Sequence, residues 1–215
     1  MGMRKGIPVV LLLMVLASMA FAGEHGIEVA SIDKDQLPSR SAKKATRPLV
    51  IEKYEFYEVK GGCEKDLLGQ MAQKGCRWDD GQMYNSVTSW SWQWEYGHDH
   101  AHPICNPDAV TVTLEVTVRY PEWVQAADAP QPLVDKWNDY LTSLMEHESG
   151  HRDMAVEEAA EFSRAVSELP SGKSCSELDK IVRSLSRERM EKLNADSQAY
   201  DLATNHGVTQ GALFQ

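Results

Sequence analysis

Apolar and polar positions alternate along two segments of the chain, and a third segment is rich in strand-forming residues, so the sequence predicts three β-strands. Residues 50–59 are rich in aromatic and β-branched side chains and are followed by Gly61-Gly62. Residues 89–96 and 110–118 alternate strictly, so each has one apolar face and one polar face. One-sided strands of this kind are typical of an antiparallel sheet with a single packed face.

The apolar face of residues 89–96 is aromatic and consists of Trp90, Trp92, Trp94 and Tyr96. We interpret these side chains as part of the hydrophobic core, because aromatic residues commonly fill the interface between a sheet and a helix. A lining for a substrate site is the alternative interpretation.

A period of three to four residues replaces the alternation in three further segments and predicts helices there. The first is a short helix over Glu64–Lys74, and the second is a long helix from about residue 133 to 166. The third begins at Ser174, whose spacing from Glu177 fits a capping box. We therefore expect one α+β domain over residues 49–215, in which a small antiparallel sheet packs on the long helix and further helices follow towards the C-terminus.

Residues 1–22 have the features of a secretory signal peptide. Arg4 and Lys5 precede an apolar stretch, and Ala20-Phe21-Ala22 is the small-x-small pattern of a cleavage site. The stretch is short for a membrane span, so we expect no transmembrane segment in the mature chain, an uncleaved anchor being the alternative. The sequence thus predicts a periplasmic or secreted bacterial protein, cleaved near Ala22. The polar residues 23–48 are predicted to form a flexible leader.

The net charge excludes nucleic acid as a partner. Removal of Arg4 and Lys5 from the 22 basic residues leaves 20, against 32 acidic ones, so the mature chain has a charge of −12. Proteins that bind a phosphate backbone do so with clustered Lys and Arg.

Four cysteines in an exported chain predict two disulfides. We favour a Cys105–Cys175 bridge that ties the sheet to the loop between the helices, and Cys63–Cys76 then remains by elimination. The second bridge meets a geometric difficulty, because the predicted helix between these two cysteines would span about 15 Å. The Cα atoms of a disulfide lie within about 7 Å of each other.

A short motif in the long helix carries the clearest chemistry. His147-Glu148-Ser149-Gly150-His151 is an H-E-x-x-H sequence. Residues four apart lie one turn apart on the same helix face, so both imidazoles can reach one zinc ion at about 2.0–2.1 Å. Glu148 would contact a water at the metal and act as general base. The motif predicts a zincin-like metallopeptidase with Zn²⁺ as cofactor and a protein or peptide as substrate.

Catalytic zinc sites normally have three protein ligands, so a third has to come from elsewhere in the chain. The metzincin spacing requires Gly and His at the positions that Met154 and Glu157 occupy, which excludes that class. A Glu on the following helix and a His near the C-terminus remain possible. The formal candidates are Glu177, Glu188, Glu191 and His206.

We assign the third ligand to His206. It follows the point where the last helix gives way to a loop, so the backbone can turn back over the cleft there. The apolar pattern of the last helix gives none of the Glu candidates a clear inward position. Asp201 and Thr204 are expected to support the ligands from behind, Asp201 by accepting a hydrogen bond from a ligand imidazole. Tyr200 is our candidate donor to the oxyanion.

Two sequence signatures together resemble one bacterial family. The first is W-x-x-Y-x-x-x-L-x-x-H-E-x-x-H, from Trp137 to His151, and the second is Y-D-x-x-T-x-H-G-x-x-Q-G, from Tyr200 to Gly211. They resemble the family of predicted secreted zinc-dependent proteases, long known as a domain of unknown function, over roughly residues 50–214. The resemblance implies a secreted zinc protease and no particular substrate.

Two other functions are compatible with the sequence. The first is a non-catalytic zinc-binding envelope protein that acts as a partner-binding module, in which Glu148 only orients the ligands. The second is a metal-scavenging protein, which would use two further histidine-containing segments. These are Gly23-Glu24-His25, which would bind Cu²⁺ or Ni²⁺ through a free amino terminus, and the loop with His98, His100 and His102.

Overall fold

The structure is a computed structural model, and it describes residues 47–78, 81–96 and 106–215. The described part is an α+β assembly with two small sheets and three helices. In chain order the elements are β1 (Leu49–Lys60), α1 (Glu64–Lys74), β2 (Cys76–Arg77), β3 (Met83–Tyr84), β4 (Val87–Tyr96), β5 (Val110–Val124), α2 (Gln131–Ser167) and α3 (Cys175–Thr204). Short 3₁₀ turns lie at Pro107–Ala109 and Val208–Gln210.

The main sheet is mixed, which corrects the prediction of an antiparallel sheet. Its strand order is β1-β5-β4, and β4 runs antiparallel to β5, with Thr88 opposite Val118. β1 runs parallel to β5, with Val50 opposite Leu114. Parallel neighbours need a long crossover connection, and α1 with the strands β2–β4 supplies one between β1 and β5. Alternation of side chains predicts a packed face, but it carries no information on strand direction.

The central strand β5 is longer than predicted and continues through Pro121 to Val124. Proline has no backbone N–H to donate to a strand ladder, so within sheets it is confined to positions where the strand has no partner on one side. Pairing with β4 starts at Arg119, and Pro121 lies beyond this point, where β5 pairs with β1 alone. The missing N–H therefore breaks no bond to β4.

The long helix α2 follows the predicted pattern and packs its apolar stripe against the sheet. Phe162 lies at the centre of this contact. Its ring stacks on Trp92 at 5.2 Å between centroids and meets Trp94 edge-on at 5.8 Å. The indole Nε1 of Trp92 donates to Ser186 Oγ of α3 at 2.9 Å. The aromatic residues of β4 are thus partly buried and pack against the core, in agreement with the prediction.

The last helix α3 begins at the predicted capping box. The Ser174 side chain accepts from the Glu177 backbone N–H, and the Glu177 carboxylate accepts from the Ser174 backbone N–H. Leu178 and Val182 are fully buried against the C-terminal part of α2, and Leu193 is buried in the main core. These contacts align α3 alongside α2 and bring its C-terminal turn to the H-E-x-x-H segment.

The cysteines correspond to the prediction only in part. Cys175 is disulfide-bonded, while its expected partner Cys105 lies outside the described residues. Cys63 and Cys76 are free thiols, so the predicted bridge between them is wrong. The reason is geometric, since the whole of α1 separates the two residues as a continuous helix.

The predicted signal peptide and leader also lie outside the described residues. Within the described ranges, no helix combines the length and the apolar composition needed to cross a membrane.

Candidate metal centre

The H-E-x-x-H segment lies in the middle of α2, where the helix is unbroken. His147 and His151 are 4% and 6% exposed, and Glu148 is 3% exposed. The two imidazoles point to the same side, and their Nε2 atoms are 3.3 Å apart. The helical spacing thus produces the convergent pair that the motif predicts.

Asp201, on the last turn of α3, completes a triangle of ligand atoms with the two histidines. Its Oδ1 lies 3.0 Å from His151 Nε2 and 3.3 Å from His147 Nε2. Tetrahedral ligands at about 2.0–2.1 Å from zinc would lie about 3.3–3.4 Å from one another. The observed edges are close to this value, so the three atoms are already placed to hold one metal ion.

The other nitrogen of each imidazole has its own partner. His147 Nδ1 donates to Gln210 Oε1 at 3.0 Å, and His151 Nδ1 lies 2.9 Å from Ser197 Oγ. An amide oxygen can only accept, so Nδ1 of His147 carries a proton and Nε2 is the nitrogen that would bind a metal ion. Partners of this kind fix the tautomer and the orientation of metal-binding histidines.

Ser197 and Gln210 were not singled out from the sequence, although signals for both were present. Ser197 stands four residues before Asp201 and therefore shares its helix face. Gln210 is the glutamine of the C-terminal signature. Its side-chain NH₂ also donates to the hydroxyl of Tyr200 at 3.0 Å, so one amide links two residues of the site.

The third ligand is the main difference between the predicted and the observed site. His206 is outside the group of residues that could hold a metal ion. The third residue of that group is Asp201. The Nδ1 of His206 lies 3.6 Å from Asp201 Oδ1, and its side chain is 45% exposed. Its ring instead packs against Tyr84 of β3, with 5.1 Å between centroids. The structure thus places His206 beside the metal group and Asp201 within it.

A left-handed turn after α3 explains this arrangement. Asn205, His206 and Gly207 all have positive φ, at 50°, 52° and 81°. The turn directs the chain away from the helix axis, while Asp201 still lies on the helix face that packs against α2. Thr204 stabilises the turn, because its hydroxyl accepts from the Gly207 N–H at 3.2 Å. Thr204 therefore supports the turn, and no contact of its hydroxyl with a ligand side chain is seen among the described residues.

Tyr200 packs between the two helices. Its ring stacks on His147 at 5.1 Å between centroids and meets His151 edge-on at 5.0 Å. Its hydroxyl lies over Gly150, donates to the His147 carbonyl at 3.4 Å and accepts from Gln210. These contacts hold the hydroxyl against the α2 backbone and do not support its predicted role as oxyanion donor.

The glutamate of the motif, Glu148, is hydrogen-bonded to the main sheet. Glu148 Oε2 accepts a hydrogen bond of 2.6 Å from the hydroxyl of Thr88 on β4. Burial raises the pKa of Glu148 above its ordinary value, and the Thr88 bond and the two histidines oppose this shift less strongly. Glu148 therefore stands beside the metal group without belonging to it.

Asp201 and the two histidines interact electrostatically, and these interactions shift the pKa of Asp201 and that of His147. Burial would raise the pKa of Asp201, but the hydrogen bonds with His147 and His151 outweigh burial and hold that pKa well below its usual range. Burial likewise tends to lower the pKa of His147, while its bonds to Asp201 and Gln210 raise it overall. A carboxylate that remains ionised beside two imidazoles is a suitable donor set for a divalent metal.

The remaining candidates do not join the group. Glu188 and Glu191 are exposed on α3, and Glu177 caps the beginning of that helix. The other two metal sites that the sequence suggested, His98–His102 and Gly23–His25, lie outside the described residues.

Comparison with models of known protein families gives a match over most of the chain. The chain matches the family described as "Bacterial protein of unknown function (DUF922)" over residues 54–207. No curated protein and no solved structure matches the chain. The matched range contains the H-E-x-x-H segment of α2 and Asp201 of α3, and it covers more than half of the chain. This protein therefore belongs to the DUF922 family of bacterial proteins.

Proposed function

We propose that this protein is an exported zinc metallopeptidase that hydrolyses peptide bonds with Glu148 as general base. One observation carries the proposal. Three ligand atoms, from His147, His151 and Asp201, form a triangle with edges of 3.0–3.3 Å, and a buried glutamate follows the first ligand on the same helix. We further propose that the domain is zincin-like, with α2 as its active-site helix.

The residues of the triangle fit zinc. Two imidazole nitrogens and one carboxylate oxygen belong to the donor types that zinc accepts, and their spacing agrees with tetrahedral coordination. Structural zinc sites are closed by four protein ligands, whereas catalytic sites use three and keep one position open. In the described part of the chain the group contains three ligands, which favours the catalytic type.

The chain supplies the proton transfers that peptide hydrolysis requires. Bound zinc would supply an electrophilic centre that makes a water more acidic and polarises the peptide carbonyl. Glu148 would accept the proton of the attacking water and deliver it to the leaving amine. The raised pKa of Glu148 suits this task, because a group that takes up and releases a proton works best when its pKa approaches the ambient pH.

The pattern of residues 1–22 supports the exported location, since it has the parts of a signal peptide. Outside the cytoplasm the substrate would be a protein or peptide.

The test is substitution of Glu148→Gln. The amide keeps the size of the side chain and cannot accept the proton, so we expect zinc stoichiometry to stay at the wild-type value and peptide cleavage to fall by about 10²–10⁴-fold. Zinc would be measured by metal analysis, and cleavage by mass spectrometry of a broad peptide library.

Glu146→Gln is the matched control, because Glu146 lies two residues earlier on α2 and is exposed. It should retain full cleavage. A wild-type protein that binds zinc and cleaves no peptide would exclude the peptidase and leave the non-catalytic zinc module. Undiminished cleavage by Glu148→Gln would exclude Glu148 as the base.

A further inference from the structure

A second buried side chain is hydrogen-bonded to Glu148. Thr88 of β4 is 5% exposed, and its hydroxyl donates to Glu148 Oε2 at 2.6 Å. The same hydroxyl lies 3.4 Å from the Glu148 backbone carbonyl. The bond therefore joins the sheet to the active-site helix at the residue that lies between the two histidine ligands in the motif.

Thr88 is itself held firmly. It pairs with Val118 of the central strand β5, and its neighbour in the ladder is likewise paired, Val87 with Arg119. A β-branched side chain has few χ1 rotamers, so the direction of the hydroxyl follows from the strand. Ser86, just before β4, donates to the Arg119 carbonyl at 2.7 Å and adds a second anchor between this segment and β5.

A glutamate on a helix has three side-chain torsions, and nothing in the H-E-x-x-H spacing selects among them. A hydrogen bond to a carboxylate is stronger than a neutral one, and in a buried site it limits the carboxylate to one orientation. Thr88 binds Oε2, and Ser86, two residues earlier, is a further hydrogen-bond partner of the same carboxylate. A displacement of about 1 Å at such a group can cost about 100-fold in rate.

We propose that Thr88 is a positioning residue that holds Glu148 Oε2 and thereby fixes the orientation in which the carboxylate meets the attacking water. The inference rests on the proposed peptidase function for its kinetic consequence. The alternative is that the Thr88–Glu148 bond only satisfies two buried polar groups and contributes to folding alone.

The experiment compares Thr88→Val, Thr88→Ser and Ser89→Ala in the full-length zinc-loaded protein. Valine keeps the shape and removes the donor, and serine keeps the donor. Ser89 is the adjacent residue on β4, and its hydroxyl is directed to the Thr117 carbonyl. Thr88→Ala replaces the valine variant if that variant fails to fold. The measurements are kcat, KM, zinc stoichiometry and a crystal structure of each zinc-loaded variant.

We expect Thr88→Val to lower kcat by about 10- to 100-fold, with KM within about twofold of wild type and zinc retained. The Glu148 carboxylate should move while His147, His151 and Asp201 stay in place. Thr88→Ser should restore kcat to within about threefold, and Ser89→Ala should leave it unchanged. Wild-type kcat in Thr88→Val, or equal losses in the serine and valine variants, would overturn the inference.

The structures separate this inference from the proposed function. If the zinc-loaded wild type cleaves no peptide, the peptidase proposal fails, and the position of Glu148 in Thr88→Val then decides the role of Thr88. A carboxylate that moves supports the positioning role. A carboxylate that keeps its wild-type position overturns it.

Discussion

At the scale of single residues, Asp201 and His206 compete for the role of third ligand. Asp201 Oδ1 lies within 3.3 Å of both ligand nitrogens, whereas His206 lies 3.6 Å from Asp201 and is nearly half exposed. We expect Asp201→Ala to lower zinc affinity by at least about 100-fold, which exceeds the loss typical of a supporting residue. His206→Ala should stay within a few-fold of wild type. Competition with a chromogenic chelator measures both affinities.

Asp201→Asn serves as the matched variant, because it keeps the shape of the side chain and removes its charge. It should bind zinc more weakly than wild type. The opposite ranking, with zinc lost in His206→Ala and retained in Asp201→Ala, would return the ligand role to His206 and require the left-handed turn to rearrange when zinc binds.

At the scale of the helices, Gly150 allows α3 to approach α2 closely. A Cβ at this position would lie 2.5 Å from the Tyr200 hydroxyl and 2.7 Å from its Cζ, and the stacked ring cannot easily move. Overpacking costs about 1–3 kcal/mol, and the gain in helix propensity is at most about 1 kcal/mol. We expect Gly150→Ala to lower the free energy of unfolding and to weaken zinc binding, since Tyr200 is next to Asp201. Urea denaturation and the chelator assay measure the two effects.

Gly69→Ala is the control, since Gly69 lies in α1 and a Cβ there meets no atom within 4 Å. It should stabilise the protein by up to about 1 kcal/mol through helix propensity alone. Combining Gly150→Ala with Tyr200→Phe removes the nearest contacting atom and should recover part of the lost stability. A Gly150→Ala protein that is more stable than wild type would refute the close approach.

At the scale of the whole molecule, the metal group connects two consecutive helices through residues that are at least 50 positions apart in sequence. His147 and His151 belong to α2, Asp201 belongs to α3, and Gln210 belongs to the C-terminal segment. A ligand that binds only the folded state stabilises it, by about 4 kcal/mol at 1,000 times its Kd. We therefore expect zinc to raise Tm and a chelator to lower it.

The thermal test uses a protein that lacks both helical ligands. His147→Ala/His151→Ala should have the same Tm with zinc and with the chelator, because this variant lacks two of the three ligand atoms. Differential scanning fluorimetry at several free zinc concentrations measures the shift. A wild-type Tm that does not respond to zinc would contradict a metal centre that joins α2 to α3.

Local patterns were sufficient to predict most elements. α1 has the predicted bounds, α3 begins at the Ser174 capping box, and the aromatic face of β4 packs against the core. Each of these features depends on neighbours within about four residues or on the burial of one face. Local spacing and the alternation of apolar residues are both visible in the sequence. The parallel pairing of β1 with β5 depends on a contact between segments about 60 residues apart, and side-chain alternation is the same for either strand direction.

The sequence by itself determined the two proposed ligands of α2 and the glutamate beside them, because helical periodicity alone places His147 and His151 on one face. Only the tertiary structure decided the third ligand. Asp201 and His206 are five residues apart, and which one meets the histidines depends on the packing of α3 against α2 and on the turn at Asn205 and Gly207. The same packing places Ser197 and Gln210 beside the two histidines, and the contact of α2 with the sheet places Thr88 beside Glu148. Local sequence determines the direction of side chains on one helix, whereas partners from separate elements are determined by how those elements pack.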